Sequence, residues 1–142
     1  MANNYCQFSC WMEIPKEKKE LAEDIIVKAY DELGITNDYP EDYIGGTIAE
    51  IQCDEHKCGV WFHEEESGNP EDVEFIARKL IDYLEINEPF YCSWAYTCSK
   101  PRINEFGGGA LVMKRKYDTY WCDATEFVRA CCENNMMNEL YS

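Results

Sequence analysis

Residues 90–122 constrain the fold more than any other part of the sequence. Cysteine and aromatic residues alternate with smaller or polar ones over residues 90–97, and a period of two is typical of a strand with one buried face. A loop at 98–106 and three glycines follow. The apolar and aromatic residues after them predict a hairpin with strands at 110–114 and 119–122. Three consecutive strands of this kind favour an antiparallel sheet.

The rest of the chain adds two helices and three more strands. Residues 5–14 alternate like a half-buried strand, and a four-residue apolar repeat then predicts a helix that ends at Gly34. Strands at 47–53 and 58–64 form a second hairpin, and Asn69 followed by proline predicts the start of a second helix. The predicted buried residues are Cys6, Phe8, Cys10, Met12 and Ile14 in the strand, Leu21, Ile25, Ile26, Ala29, Tyr30 and Leu33 in the first helix, and Val73, Ile76, Ala77, Leu80 and Leu84 in the second.

The predicted order is strand, helix, strand, strand, helix, strand, strand, strand and a short helix. Its first six elements have the βαββαβ order of the ferredoxin-like motif, to which a C-terminal hairpin and short helix are added. We predict the α+β class, with a mainly antiparallel sheet and two helices on one face. The 142 residues, of which 46% are hydrophobic, suffice for one domain over residues 1–142, with 134–142 as a loosely held tail.

The acidic residues are distributed unevenly. Residues 1–89 carry 22 acidic and 7 basic side chains, whereas residues 90–142 carry 6 of each, so the net charge of −15 comes from the first two-thirds. Such a surface repels phosphate groups, which disfavours direct binding to nucleic acid.

The sequence lacks an apolar run of about 20 residues and the pattern of a signal peptide. We therefore expect a cytoplasmic protein that does not bind membranes. Nine cysteines are an odd number for a disulfide framework, and in that compartment we expect them to be reduced and unlinked.

No group of residues predicts a catalytic or metal site. Cys53, His56 and Cys58 offer three zinc ligands but no fourth, and strand cysteines more often pack in a core. A Cys–His catalytic pair is disfavoured because the chain has only His56 and His63, both in the central hairpin. We predict no catalytic residue, no metal and no cofactor.

The glycine run at 107–109 follows Lys100 and Arg102, a combination that invites comparison with phosphate-binding loops. In those loops the glycines precede a helix, whereas here they precede an apolar strand. The pattern instead indicates a bulge or close packing against a neighbouring aromatic side chain.

The segments TCSKPR (97–102) and EFGGGA (105–110) resemble a group of small, acidic, uncharacterised proteins of bacteriophages and mobile elements. The resemblance covers mainly residues 68–122 and implies no known activity or catalytic residue. It implies a protein that acts on a host or competing machine, where small acidic proteins are often nucleic-acid mimics.

Two functional hypotheses follow. The first is a non-enzymatic binding protein, an inhibitor whose acidic face docks on a basic, nucleic-acid-binding partner. The second is a small-anion-binding domain or enzyme that uses a loop containing Lys100, Arg102 and Glu105. The carboxylates assigned to the acidic face are Asp38, Glu41, Asp42, Glu64, Glu65, Glu66, Glu71, Asp72 and Glu74.

Overall fold

The computed structural model describes residues 4–34, 48–66, 68–100 and 107–124. The predicted acidic loop at 35–46, the C-terminal helix and the tail at 134–142 lie outside these ranges. The elements are β1 Asn4–Glu13, a 3-10 turn Lys16–Lys18, α1 Lys19–Leu33, β2 Ile48–Cys53, β3 Cys58–Glu64, α2 Pro70–Leu84, β4 Phe90–Cys98, β5 Gly107–Met113 and β6 Tyr120–Asp123.

The strands form one six-stranded sheet in the order β2-β3-β1-β4-β5-β6. Every neighbouring pair is antiparallel. The buried residues of α1 and α2 form a single core with alternate residues of the strands, so both helices cover the same sheet face. The predicted α+β class, with two helices and an antiparallel sheet, is confirmed.

Alternation along β1 separates the two faces of the sheet. The predicted buried set of β1, from Cys6 to Ile14, is confirmed as part of the core. The intervening residues lie on the face that carries no helix, where Trp11 is the cross-strand partner of Trp61 and Ser9 that of His63. We call this second surface the open face.

The helices follow their local sequence signals with one correction. α1 ends at Gly34, which has the left-handed φ of 81° that glycine adopts without strain. The predicted burial of Leu21 is wrong, because its side chain is 48% exposed while Ala22 is fully buried. The buried stripe of α1 therefore begins at Ala22 rather than at Leu21 and continues, as predicted, through Ile25, Ile26, Ala29 and Tyr30. In the described ranges, neither helix combines the length and apolarity that crossing a membrane requires.

Cys53 and Cys58 form a disulfide, which corrects the expectation that all cysteines are unlinked. The two residues are cross-strand partners at the end of the β2–β3 hairpin. The carboxylate of Asp54 accepts hydrogen bonds from the backbone N–H groups of His56 and Lys57, both at 2.8 Å. This tight turn brings the two cysteine Cα atoms to 4.0 Å. The expectation rested on the odd number of cysteines and on the compartment, neither of which includes this register.

Candidate functional site

One end of the sheet collects acidic side chains from several elements. β1 begins there, β3 and β4 end there, and Cys6 pairs with Tyr96. The connection from β3 to α2 crosses this end, because the N–H of Cys6 donates to the carbonyl of Glu66 at 2.8 Å and the N–H of Gly68 donates to the carbonyl of Cys6 at 2.9 Å. We call this region the acidic end. Its carboxylates are Glu64, Glu65, Glu66, Glu71 and Asp123.

Three of these carboxylates face solvent. Glu65, Glu66 and Glu71 are exposed, and none of them forms an ion pair with the described part of the chain. Glu64 has a local role, since its Oε1 accepts from the backbone N–H groups of Glu65 at 3.0 Å and Glu66 at 3.3 Å. The fold therefore brings together four of the predicted docking residues.

Two other predicted residues have different surroundings. Asp72 is only 8% exposed, and its pKa is raised by burial and, to a lesser extent, by the charge of Glu71. Glu74 accepts a hydrogen bond of 2.7 Å from the hydroxyl of Thr119, which in turn accepts one of 3.0 Å from Arg78. Glu74 thus ties α2 to the turn between β5 and β6, and neither acid is free to meet a partner.

The remaining predicted site residues are largely beyond what the structure describes. Lys100 is exposed directly after β4. Its two companions in the small-anion hypothesis, Arg102 and Glu105, lie outside the described residues, as do Asp38, Glu41 and Asp42 of the acidic face.

The acidic end contains a pocket that the sequence alone did not reveal. Trp94 and Tyr96 from β4 and Trp121 from β6 form its aromatic walls, and Glu71 and Asp123 contribute carboxylates. The pocket has a volume of about 420 Å³. The two indole rings meet edge to face, with centroids 5.9 Å apart. We call it the aromatic pocket, and its lining is completed by Asn69, Pro70 and Cys122.

Gly109 determines where the Trp94 wall of this pocket lies. A Cβ atom at Gly109 would be 2.6 Å from Cζ2 of Trp94 and 2.8 Å from the carbonyl oxygen of Cys122. The glycine therefore lets the indole lie against the backbone of β5. The predicted packing of the glycine run against an aromatic side chain is confirmed, although the strand begins at Gly107 rather than at residue 110.

Among the described residues, the charged side chains that line the pocket are both carboxylates, those of Glu71 and Asp123. The pKa of Tyr96 is raised first by burial and then by its electrostatic interaction with Cys6, and the charges of Asp123 and Glu71 raise it further. The indole N–H of Trp94 has no acceptor within hydrogen-bond distance among the described residues, and its proximity opposes the rise in the pKa of Tyr96.

A second groove lies on the open face, lined by Trp11, Lys57 and Trp61 among others. The ammonium of Lys57 lies 4.8 Å from the centroid of the Trp11 ring. Trp61 stacks on His63 at 3.7 Å and donates a hydrogen bond of 2.7 Å to the hydroxyl of Ser9. The groove thus already contains its own cation, which makes it the weaker candidate for a basic ligand.

Comparisons with family models, with curated proteins and with solved structures found no match to this chain.

Proposed function

We propose that this protein is a non-enzymatic binding protein that docks its acidic end on a basic partner. One observation carries the proposal. Glu65, Glu66 and Glu71 are exposed at one end of the molecule, and no Lys or Arg in the described ranges forms an ion pair with them.

Electrostatics favours a partner over a purely solubilising role. The repulsion between neighbouring carboxylates destabilises the folded state, and salt screens it over a length of about 8 Å at physiological ionic strength. A basic surface would relieve this repulsion and would be steered toward the acidic end during association.

The natural class of partner is a protein that binds nucleic acid. Such a protein presents Lys and Arg side chains spaced to meet phosphates, and exposed carboxylates compete for the same cations. The protein would then inhibit its partner by occupying the nucleic-acid site. The resemblance of residues 97–102 and 105–110 to proteins of bacteriophages and mobile elements supports a role as a counter-defence inhibitor.

We also infer that the first six elements form a ferredoxin-like unit. Its support is that β1 lies between β3 and β4, that β2 lies outside β3, and that β5 and β6 extend the sheet beyond β4. In this interpretation the added hairpin supplies one wall of the aromatic pocket, since Trp121 belongs to β6.

Charge reversal at matched positions tests the proposal. The test variant carries Glu65→Lys, Glu66→Lys and Glu71→Lys. The control variant carries Glu17→Lys, Glu20→Lys and Glu23→Lys, which are exposed and begin at the opposite end, where Lys18 donates to the carbonyl of Leu84 at 2.8 Å. Each variant changes the net charge from −15 by the same amount.

The assay is quantitative capture of partners from a lysate of the native host by each immobilised variant, with identification by mass spectrometry. We expect the test variant to capture at least about tenfold less of the basic partner than the wild type does. The control variant should capture as much as the wild type. Capture by the wild type should also fall steeply with salt. Equal capture by both variants, or an equal loss in both, would contradict docking at the acidic end.

A further inference from the structure

The aromatic pocket has the chemistry of a cation site. The faces of aromatic rings carry a negative quadrupole, and Trp binds cations best among the aromatic residues. Here two Trp side chains and one Tyr line a single cavity, and the carboxylates of Glu71 and Asp123 line it with them.

The start of α2 also lines this pocket, and a helix N-terminus ordinarily favours anions. The backbone N–H groups at the start of α2 already have acceptors within the chain. Pro70 has no N–H, the N–H of Glu71 donates to Oδ1 of Asn69 at 3.1 Å, and the N–H of Asp72 donates to the carbonyl of Asn69 at 3.0 Å. With these groups occupied and two carboxylates present, the pocket disfavours anions and attracts cations.

The volume of the pocket limits the size of the ligand. A volume of about 420 Å³ accommodates an extended alkyl chain with an ammonium head. The chain would lie along the rings of Trp94 and Trp121, which meet edge to face, while the head would lie near Glu71 and Asp123. Lys side chains have this combination of an apolar stem and a compact charge.

We propose that the aromatic pocket binds the alkylammonium end of a lysine side chain presented by the basic partner. The identity of that source rests on the proposed function, whereas the affinity of the pocket for an alkylammonium group does not. The lysine would anchor the partner at the acidic end, and Glu65 and Glu66 would meet further basic side chains around it.

The pocket can be tested without a partner, by titrating the full chain with Nα-acetyl-lysine methylamide at constant ionic strength. The neutral control is Nα-acetyl-norleucine methylamide, which has the same four-carbon apolar stem and lacks the ammonium group. The four Trp side chains each give one indole N–H signal in a ¹H–¹⁵N spectrum. Trp94 and Trp121 report on the pocket, and Trp11 and Trp61 on the open face serve as internal references.

We expect the lysine probe to shift the signals of Trp94 and Trp121 in a saturable manner, with a Kd on the order of millimolar. The norleucine probe and the signals of Trp11 and Trp61 should show no saturable change. An absence of saturable shifts, equal shifts with norleucine, or equal shifts of all four indoles would overturn the proposal.

Two variants of β6 extend the test to the partner. Trp121→Leu removes a wall whose side chain is 44% exposed, and Tyr120→Leu removes an exposed ring on the opposite face of the same strand. We expect Trp121→Leu to weaken lysine-probe binding by about fivefold or more and to reduce partner capture, with Tyr120→Leu unchanged in both assays. Should Trp121→Leu prove unstable, the near-isosteric change Glu71→Gln is expected to weaken probe binding in the same direction.

The two proposals can fail separately. If charge reversal at Glu65, Glu66 and Glu71 abolishes capture while Trp121→Leu does not, docking at the acidic end stands and the lysine anchor is wrong. If charge reversal does not change capture, the proposed function is wrong, and so is the proposal that a lysine of the partner occupies the pocket. The probe titration alone then decides whether the pocket is a cation site.

Discussion

Gly109→Ala is expected to destabilise the protein, although glycine in a strand is usually unfavourable. Where the site has room, a Gly→Ala change stabilises by about 0.4–1 kcal/mol, because the unfolded chain loses conformational freedom. At Gly109 the new methyl group would lie 2.6 Å from Cζ2 of Trp94 and 2.8 Å from the carbonyl oxygen of Cys122. The second contact is with the backbone of β6, which cannot move without shifting the strand.

The expected magnitude follows from these opposing effects. Overpacking of this kind costs about 1–3 kcal/mol, and the entropic gain offsets only part of it. We expect the free energy of unfolding to fall by about 1–2 kcal/mol, which for a domain of this size lowers Tm by about 3–7 °C. The displaced indole would also narrow the aromatic pocket, so affinity for the lysine probe should fall as well.

Urea unfolding followed by circular dichroism measures the change, with the midpoint compared at constant slope. A Trp94→Leu background provides the control, because it removes the ring contact and leaves only the contact with Cys122. The cost of Gly109→Ala should be smaller there, with a coupling energy of at least about 0.5 kcal/mol. A Gly109→Ala protein as stable as the wild type, or more stable, would refute the reasoning.

Two further predictions concern the cysteines and a buried acid. Because Cys53 and Cys58 are linked, titration of the nine cysteines after unfolding without reductant should find at most seven free thiols; nine would show that the disulfide is absent. Burial raises the pKa of Asp72 above its ordinary 3.8, so its stabilising proton is lost as pH rises through the raised pKa. Asp72→Asn should therefore increase the free energy of unfolding at pH 7 but not at pH 3. Urea unfolding at both pH values measures this difference, and an equal change at the two pH values would contradict the prediction.

The sequence determined the local elements well because their signals lie between near neighbours. The alternation of residues 5–14 predicts β1, and the Asn69 cap, whose side chain accepts from the N–H of Glu71 at 3.1 Å, predicts the start of α2. The left-handed Gly34 ends α1 where the sequence indicates. Each of these signals depends on residues at most four positions apart, and so each is readable without the fold.

The sequence also showed that the carboxylates are concentrated in the first two-thirds of the chain, but not which of them face solvent. Asp72 and Glu74 follow Glu71 directly in the helix start. The packing of α2 on the sheet buries Asp72, and the approach of Thr119 engages Glu74. The partner of each side chain is set by the crossing of distant elements, which no local pattern specifies.

Only the tertiary structure assembled the aromatic pocket. Trp94 and Tyr96 could be placed on one strand face from their alternation, but Trp121 joins them because β5 lies between β4 and β6 in a particular register, with Gly109 opposite both Trp94 and Asp123. A slip of one residue in either pairing would move Trp121 to the other face of the sheet. Register is decided by the burial of whole strand faces. The sequence therefore determined which aromatic residues are present, whereas the fold determined that they line one pocket.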